Sequence, residues 1–554
     1  MSFAYKRHYV PKQFIVIAAF GIISLLYYFI FFMSLVSPSL GEFFGFLIYA
    51  VGWILAIYGV YRLKNLLKNR TIVRFILLPL SIMVILTGYY TFILTSCRTP
   101  DVGPKDNNNT FCFLHSLPGD NTLPYIYARN ITQNKPTALI GDWKLVDRPP
   151  IQIGAGLGIL DLTKKAPNDY RAYQLVATFL QLSWVAAVFG LLFTVGLEFG
   201  QIILGIGIVS MSGTVFINSV FVWPKFFAAS LVVMGCVLLF DTANKYWKRT
   251  SITAITAIGL GLLIHDGVVF TIAGLIVVLA YIWLRSLLSG TAKTKKRSFS
   301  LRPLLIGGLI ALILIAPWII YKSHNSSSDR LIKWQFAGVI NPDNRSTMQT
   351  VIDSYKHISL HTWLENRKLN IKMLYVPIEK PELPNGIKAL GFSGTSIKQS
   401  LGHLSIWYEE NDFYIFFFAF GLLNLGWLAV FTRKNRSSIT DVEKRLVWAS
   451  LISIVVWVLV MFIPSSTVIH QGSYATLLII YCLLITWLGR NKLLFPLFVI
   501  QFLLFSVLWV FGVFARYDMS LHKGMPGFLA TLLLLAMYLL LANPPVKLLQ
   551  KYKS

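Results

Sequence analysis

The sequence predicts an all-α polytopic membrane protein of about fourteen transmembrane helices with two structured outer loops. Two observations carry the class. The 554 residues are 56% hydrophobic, with a mean hydropathy of +0.64. Apolar runs long enough to cross a hydrocarbon core recur from end to end, and their links alternate in basic content.

Each span is read from its apolar run and its flanks. The tail before the first span carries Lys6, Arg7 and Lys12, which sets it inside. Pro11 to Val36 is too long for a cleavable signal peptide and reads as a first span. Spans follow near 39–61 and 74–95, joined by a link holding Lys64, Lys68, Arg70 and Arg74, again inside. The segment 96–170 is therefore an outer loop. Spans near 173–196, 200–218 and 225–241 lead to Lys245, Lys248 and Arg249 on the inner side. Spans near 251–264 and 268–286 lead to Lys293, Lys295, Lys296, Arg297 and Arg302, and a span near 303–321 leads to a second outer loop, 322–411. Spans near 413–432, 447–463, 473–489, 493–514 and 526–542 complete the chain, with both termini inside.

The formal charge of +27, from 50 Lys+Arg against 23 Asp+Glu, fits this sidedness and anionic lipid heads. It does not call for nucleic acid in a chain of this hydropathy. Cys236 and Cys482 fall inside apolar runs. Cys97 and Cys112 flank a polar stretch of the first outer loop and are expected to form a disulfide where that loop meets an oxidising compartment. Glu198 and Asp241 sit at span ends, so no acid relay of the kind an ion pump uses is visible inside the spans.

Loops of such length usually carry function. In the first, Gly119-Asp120-Asn121-Thr122 precedes Leu123-Pro124-Tyr125-Ile126-Tyr127-Ala128-Arg129-Asn130, whose spacing predicts a short amphipathic helix. Asp120 has two readings: a cap for that helix, or a base acting on a hydroxyl acceptor. Downstream, Asp147-Arg148-Pro149-Pro150 is stiffened by its prolines and runs into the apolar, Gly-rich stretch Ile153 to Leu162, expected along the membrane interface. Further outer-side candidates are Lys225 in Trp223-Pro224-Lys225, His265 and Asp266 in Ile264-His265-Asp266-Gly267, and His470 with Gln471 in a polar break before Tyr474. Lys and Arg suit phosphate as donors, and a helix starting at Lys225 would add its N-terminal N–H groups. Bland readings stand beside these: snorkelling for Lys225, helix capping for His265, a solvated loop for His470. The second outer loop is rich in Trp, His and Tyr, which suit sugar rings and interface anchoring alike.

Gly-Asp-Asn, then Tyr-Ile-Tyr-Ala-Arg, a polar gap and Arg-Pro-Pro, resembles the first outer loop of the GT-C superfamily of integral membrane glycosyltransferases. The protein O-mannosyltransferases, the lipid A aminoarabinose transferase and the mycobacterial arabinosyltransferases belong to it. Asn121 stands where that family often has Glu. Trp223-Pro224-Lys225 and Ile264-His265-Asp266-Gly267 are similar to basic and polar steps of the same core. The resemblance implies a catalytic core over 74–321, additional N-terminal helices over 1–73, and C-terminal helices over 412–554. It implies Asp120 as catalytic base, with Asp147, Arg148, Lys225, His265, Asp266, His470 and Gln471 binding substrate. It further implies a polyprenyl-phosphate-linked sugar as donor, a glycan, lipid or protein hydroxyl as acceptor, a possible divalent metal, and inversion at the anomeric carbon on the outer face of the cytoplasmic membrane. Two other classes stay open. A glycan polymerase or ligase would lean on Arg and His of a late outer loop, and a transporter on charges at mid-membrane.

Overall fold

The structure is a computed structural model that describes residues 9–96, 121–135, 144–163, 169–288, 300–325, 330–339, 345–373, 439–462, 474–514 and 524–542. Every regular element among them is helical. We label them in chain order: α1 Ile15–Val36, α2 Pro38–Tyr61, α3 Leu78–Ser96, α4 Leu123–Thr132, α5 Pro150–Thr163, α6 Asp169–Gln181 and α7 Trp184–Thr194. Then come α8 Phe199–Ser210, α9 Gly213–Val220, α10 Lys225–Phe240, α11 Trp247–Ile264, α12 Val268–Leu288 and α13 Arg302–Asn325. The remainder are α14 Arg330–Ala337, α15 Thr347–His357, α16 Leu360–Met373, α17 Asp441–Val460, α18 Tyr474–Arg490, α19 Phe495–Phe514 and α20 Gly524–Ala542. Short helical turns at Leu63–Lys68, Arg70–Ile72 and Val73–Leu77 link α2 to α3.

Six segments are long and apolar enough to cross a membrane: Lys12–Val36, Pro38–Tyr61, Arg70–Ile93, Tyr170–Thr194, Val268–Leu288 and Arg302–Asn325. Shorter apolar helices, α10 and α18 among them, pack between these. The chain is thus a helical membrane protein. The predicted span near 413–432 lies outside the described residues.

The centre of the bundle is α10. All of its residues are buried, so its apolar character has no face. It packs on α11, α7, α18 and α17. Helix α18 is buried almost throughout and runs parallel to α10, so Lys225 and Tyr474, their first residues, meet at one end. At the other end Arg445 donates from Nη1 to the Phe240 carbonyl (2.8 Å), closing the C-terminus of α10. There too lies Glu443, fully buried, which accepts from Trp487 Nε1 (3.0 Å) and pairs with Arg490 (3.2 Å). The basic residues Lys12, Arg62, Arg74, Arg285, Arg302 and Lys444 flank the bundle at this same end.

Two predicted spans are not single helices. The run 173–196 breaks at Leu182–Ser183 between α6 and α7, and 200–218 breaks at Met211–Ser212 between α8 and α9. Polar side chains stabilise both breaks. Ser183 Oγ bonds Ser230 Oγ (2.9 Å), and the Tyr90 hydroxyl donates to the Ser210 carbonyl (2.6 Å). Gly196, at φ +86°, ends α7 with Leu197 N–H reaching the Leu192 carbonyl (3.1 Å), a Schellman turn.

The segment Ile153 to Leu162, expected along the interface, instead lies within α5, whose residues 151–160 are all buried among α1, α2, α4 and α6. Its glycines explain the difference. A Cβ at Gly154 would fall on the Tyr27 carbonyl of α1, so close approach of two backbones requires glycine there.

Candidate functional site

The site is built at the Lys225 end. The predicted amphipathic helix is present as α4, and Tyr127 on its inner face is fully buried. A 3₁₀ turn at Leu145–Asp147 follows, in which the Lys144 N–H donates to Asp147 Oδ2 (2.8 Å). Asp147 and Arg148 are buried, at 1% and 6% exposure, which excludes a surface turn. The Tyr127 hydroxyl is pushed to higher pKa by burial, with Arg148 opposing and Asp147 adding, so all three groups share one electrostatic environment.

The Arg148 guanidinium stacks on the Trp223 indole, 3.5 Å from its centroid. The His265 ring lies beside the same indole, tilted to it, at 6.4 Å between centroids. Two residues on, Lys225 is only 7% exposed, so it is not a snorkelling lysine. Its ammonium donates to the Tyr474 hydroxyl (3.2 Å), which donates to Asn218 Oδ1 (2.8 Å). The ammonium also lies over the Tyr474 and Phe221 rings, at 4.9 and 5.2 Å.

His265 is the C-cap residue of α11 through its main chain, its N–H reaching the Gly261 carbonyl (2.8 Å), and not through a side-chain cation. Its ring is also buried. The Gly267 N–H donates to Nδ1 (3.0 Å), which leaves the proton of the neutral ring on Nε2. Burial, then the Lys225 and Arg148 charges, hold its pKa down at about 3 against an ordinary 6.5. Asp266 beside it is half-buried on the turn.

The turn carrying Trp223 and Lys225 is fixed by buried amides. Gln174 Nε2 donates to the Val220 carbonyl (2.6 Å), and Gln181 Nε2 donates to the Trp223 carbonyl. Gln181 Oε1 accepts from Phe227 N–H (2.9 Å). That N–H belongs to the first turn of α10, so Gln181 already occupies one of the donors expected to serve an anion there. Asn121 completes the clasp. Its Oδ1 accepts from Val222 N–H (2.7 Å), while Nδ2 donates to Tyr170 Oη (2.8 Å) and Gln174 Oε1 (3.1 Å). Asn121 thus holds the start of α4 on the Trp223 turn, a task for a side chain with both donor and acceptor.

The structure therefore brings Asp147, Arg148, Lys225 and His265 into one region, with Asp266 at its edge. Asp120, His470, Gln471, Cys97 and Cys112 lie outside the described residues. Trp223 as a platform, and Tyr474, Asn218 and Tyr127 as neighbours, were not singled out from sequence. The available signal was polar groups inside apolar runs: Gln174, Gln181 and Asn218 interrupt spans at a cost that demands partners. Among the described residues no group of three or more His, Cys, Asp and Glu side chains converges on a metal position. No family model, curated protein or solved structure matches this chain.

Proposed function

We propose that the protein is a membrane glycosyltransferase that moves a sugar from a polyprenyl-phosphate donor to a hydroxyl acceptor, in the manner of the GT-C enzymes its first loop resembles. One observation supports this above the others. Arg148 on Trp223 and Lys225 on Tyr474 bring two cations and a neutral imidazole together at one buried end of the bundle. Such a set suits a phosphate: both cations stabilise the leaving anion, and His265 stays neutral and can donate from Nε2. The reaction would be a direct displacement. The acceptor oxygen bonds to the anomeric carbon, the carbon–oxygen bond to phosphate breaks, configuration inverts, and the acceptor proton passes to Asp120. The residue after Asp120 in the chain, Asn121, is anchored to the Trp223 turn, which favours a shared site. The crowding of basic residues at the opposite end favours that end as cytoplasmic, with the site on the outer face and about fourteen spans in all.

Discontinuous helices beside the site favour a second reading, a lipid-linked glycan transporter. One experiment separates them. Asp120→Asn in purified protein, supplied with a polyprenyl-phosphate sugar and acceptor, is expected to lower turnover by about 10²–10⁴-fold while lipid binding persists. Turnover within a few-fold of wild type sinks Asp120 as the base. Donor transport without any transfer favours the transporter.

A further inference from the structure

A second cation pair, at the opposite end of the bundle, takes no part in the site above. Lys12 begins the 3₁₀ turn Lys12–Phe14 that leads into α1, and Arg74 lies in the π-helical turn Val73–Leu77 before α3. Both sit over the same ring. Lys12 Nζ is 4.8 Å from the Phe75 centroid and 5.9 Å from that of Phe193. The Arg74 guanidinium carbon is 5.7, 5.5 and 4.8 Å from the centroids of Phe75, Phe193 and Phe199. Among the described residues neither side chain makes an ion pair or a hydrogen bond, and Glu198, next to Phe199, makes no ion pair with Arg74. The Phe75 and Phe193 rings are shared by both cations, which places the two side chains in one neighbourhood. A phosphate in that neighbourhood would gain charge-assisted contacts from these cations. A π-helical turn is a local departure from α geometry that recurs at functional sites.

The surroundings identify the source of the phosphate. Helix α2 has 24 residues, about 36 Å at 1.5 Å per residue, and 6% of its most apolar window is buried. Trp53, Ile57 and Val60 are 66–71% exposed, a face suited to hydrocarbon. Its last turn carries Tyr58 and Tyr61, both under the Arg62 guanidinium, at 5.6 and 5.8 Å. Aromatic residues of this kind mark the interface. From Arg62 to Arg74 the chain then holds Lys64, Lys68 and Arg70 and no carboxylate. Leu63 and Leu67 remain 42% and 55% exposed on the same short stretch. This segment therefore lies at headgroup level, with apolar side chains for the acyl boundary and cations for the phosphates.

We infer that Lys12 and Arg74, seated on the Phe75, Phe193 and Phe199 rings, bind the phosphate of an anionic phospholipid in the leaflet at this end of the bundle. The bound headgroup would tie the start of α1, the entry to α3 and the α7–α8 turn to one another.

The test uses the full chain in detergent, titrated with phosphatidylglycerol and separately with phosphatidylcholine, and bound lipid read by native mass spectrometry. Wild type is expected to prefer phosphatidylglycerol. Lys12→Gln with Arg74→Gln should lose roughly 5-fold of that preference per cation. Lys12→Arg with Arg74→Lys should keep it. A charge-matched control, Lys248→Gln with Arg302→Gln, should keep it too. If the double variant does not fold, Lys12→Gln alone carries the same comparison. An equal preference for both lipids in wild type, an unchanged preference in the Gln pair, or an equal loss in the control overturns the site. So does full displacement by inorganic phosphate, since that assigns the cations to a free anion.

Discussion

At Lys225 an ammonium lies almost fully buried at the first turn of a helix that has no exposed residue. Such a charge is expensive unless hydrogen-bonded, and the Tyr474 hydroxyl and aromatic faces offset part of the cost. A group kept at that cost is a functional candidate. Lys225→Met should therefore weaken binding of a polyprenyl phosphate by about 10–100-fold, matching a charge-assisted contact of about 1.5–3 kcal/mol, with little loss of thermal stability. Titration of purified variants with the lipid phosphate reads this, and unchanged affinity removes Lys225 from the donor site. His265 makes a different prediction, about pH. Its folded pKa of about 3 lies below the ordinary 6.5. Between those values the unfolded chain binds a proton that the folded site refuses, so stability is complete above about pH 6.5 and falls as pH drops towards 3. His265→Gln should narrow the gap in thermal midpoint between pH 7.5 and pH 4.5. An identical gap in both proteins would show that the imidazole is not held neutral.

Among the elements, α5 and the Trp223 turn decide where the site residues go. Helix α5 is apolar on every side, so periodicity alone could not separate a buried helix from an interfacial one. Close packing on α1 settles it. Gly154→Ala sets a methyl group against the Tyr27 carbonyl and should cost about 1–3 kcal/mol by overpacking. Gly52→Ala on α2, where a Cβ meets open space, is the control and should cost almost nothing. Thermal unfolding in detergent compares them, and equal midpoints would contradict the α1–α5 contact. The Trp223 turn is governed by amides distant in sequence. Asn121, Gln174 and Gln181 each satisfy backbone groups that the α9–α10 connection leaves open.

Across the whole molecule, the two ends of the bundle are held together differently. The Lys225 end gathers its cations around an indole and a phenol. The opposite end is closed by Glu443, which joins Trp487 and Arg490 of α18 to the start of α17. Glu443→Ala would remove a buried carboxylate from a half-exposed arginine, so the loss should be about 2–4 kcal/mol, below that of a fully buried pair. Affinity for a polyprenyl phosphate at the far end should change little. A large affinity loss with an unchanged thermal midpoint would instead mean that the two ends are coupled.

The helical membrane class was legible in the sequence because hydrocarbon imposes it locally: backbone groups must be satisfied within each apolar run. The helix after Asn121 and the start of α10 at Lys225 were legible for the same local reasons. Burial of Arg148 and Lys225, the stacking on Trp223, the neutral state of His265 and the clasp made by Asn121 were not. Each depends on residues tens to hundreds of positions apart, such as Lys225 with Tyr474 or Asn121 with Val222. Periodicity reports which face of a segment is apolar; only packing reports which polar group another segment brings to it.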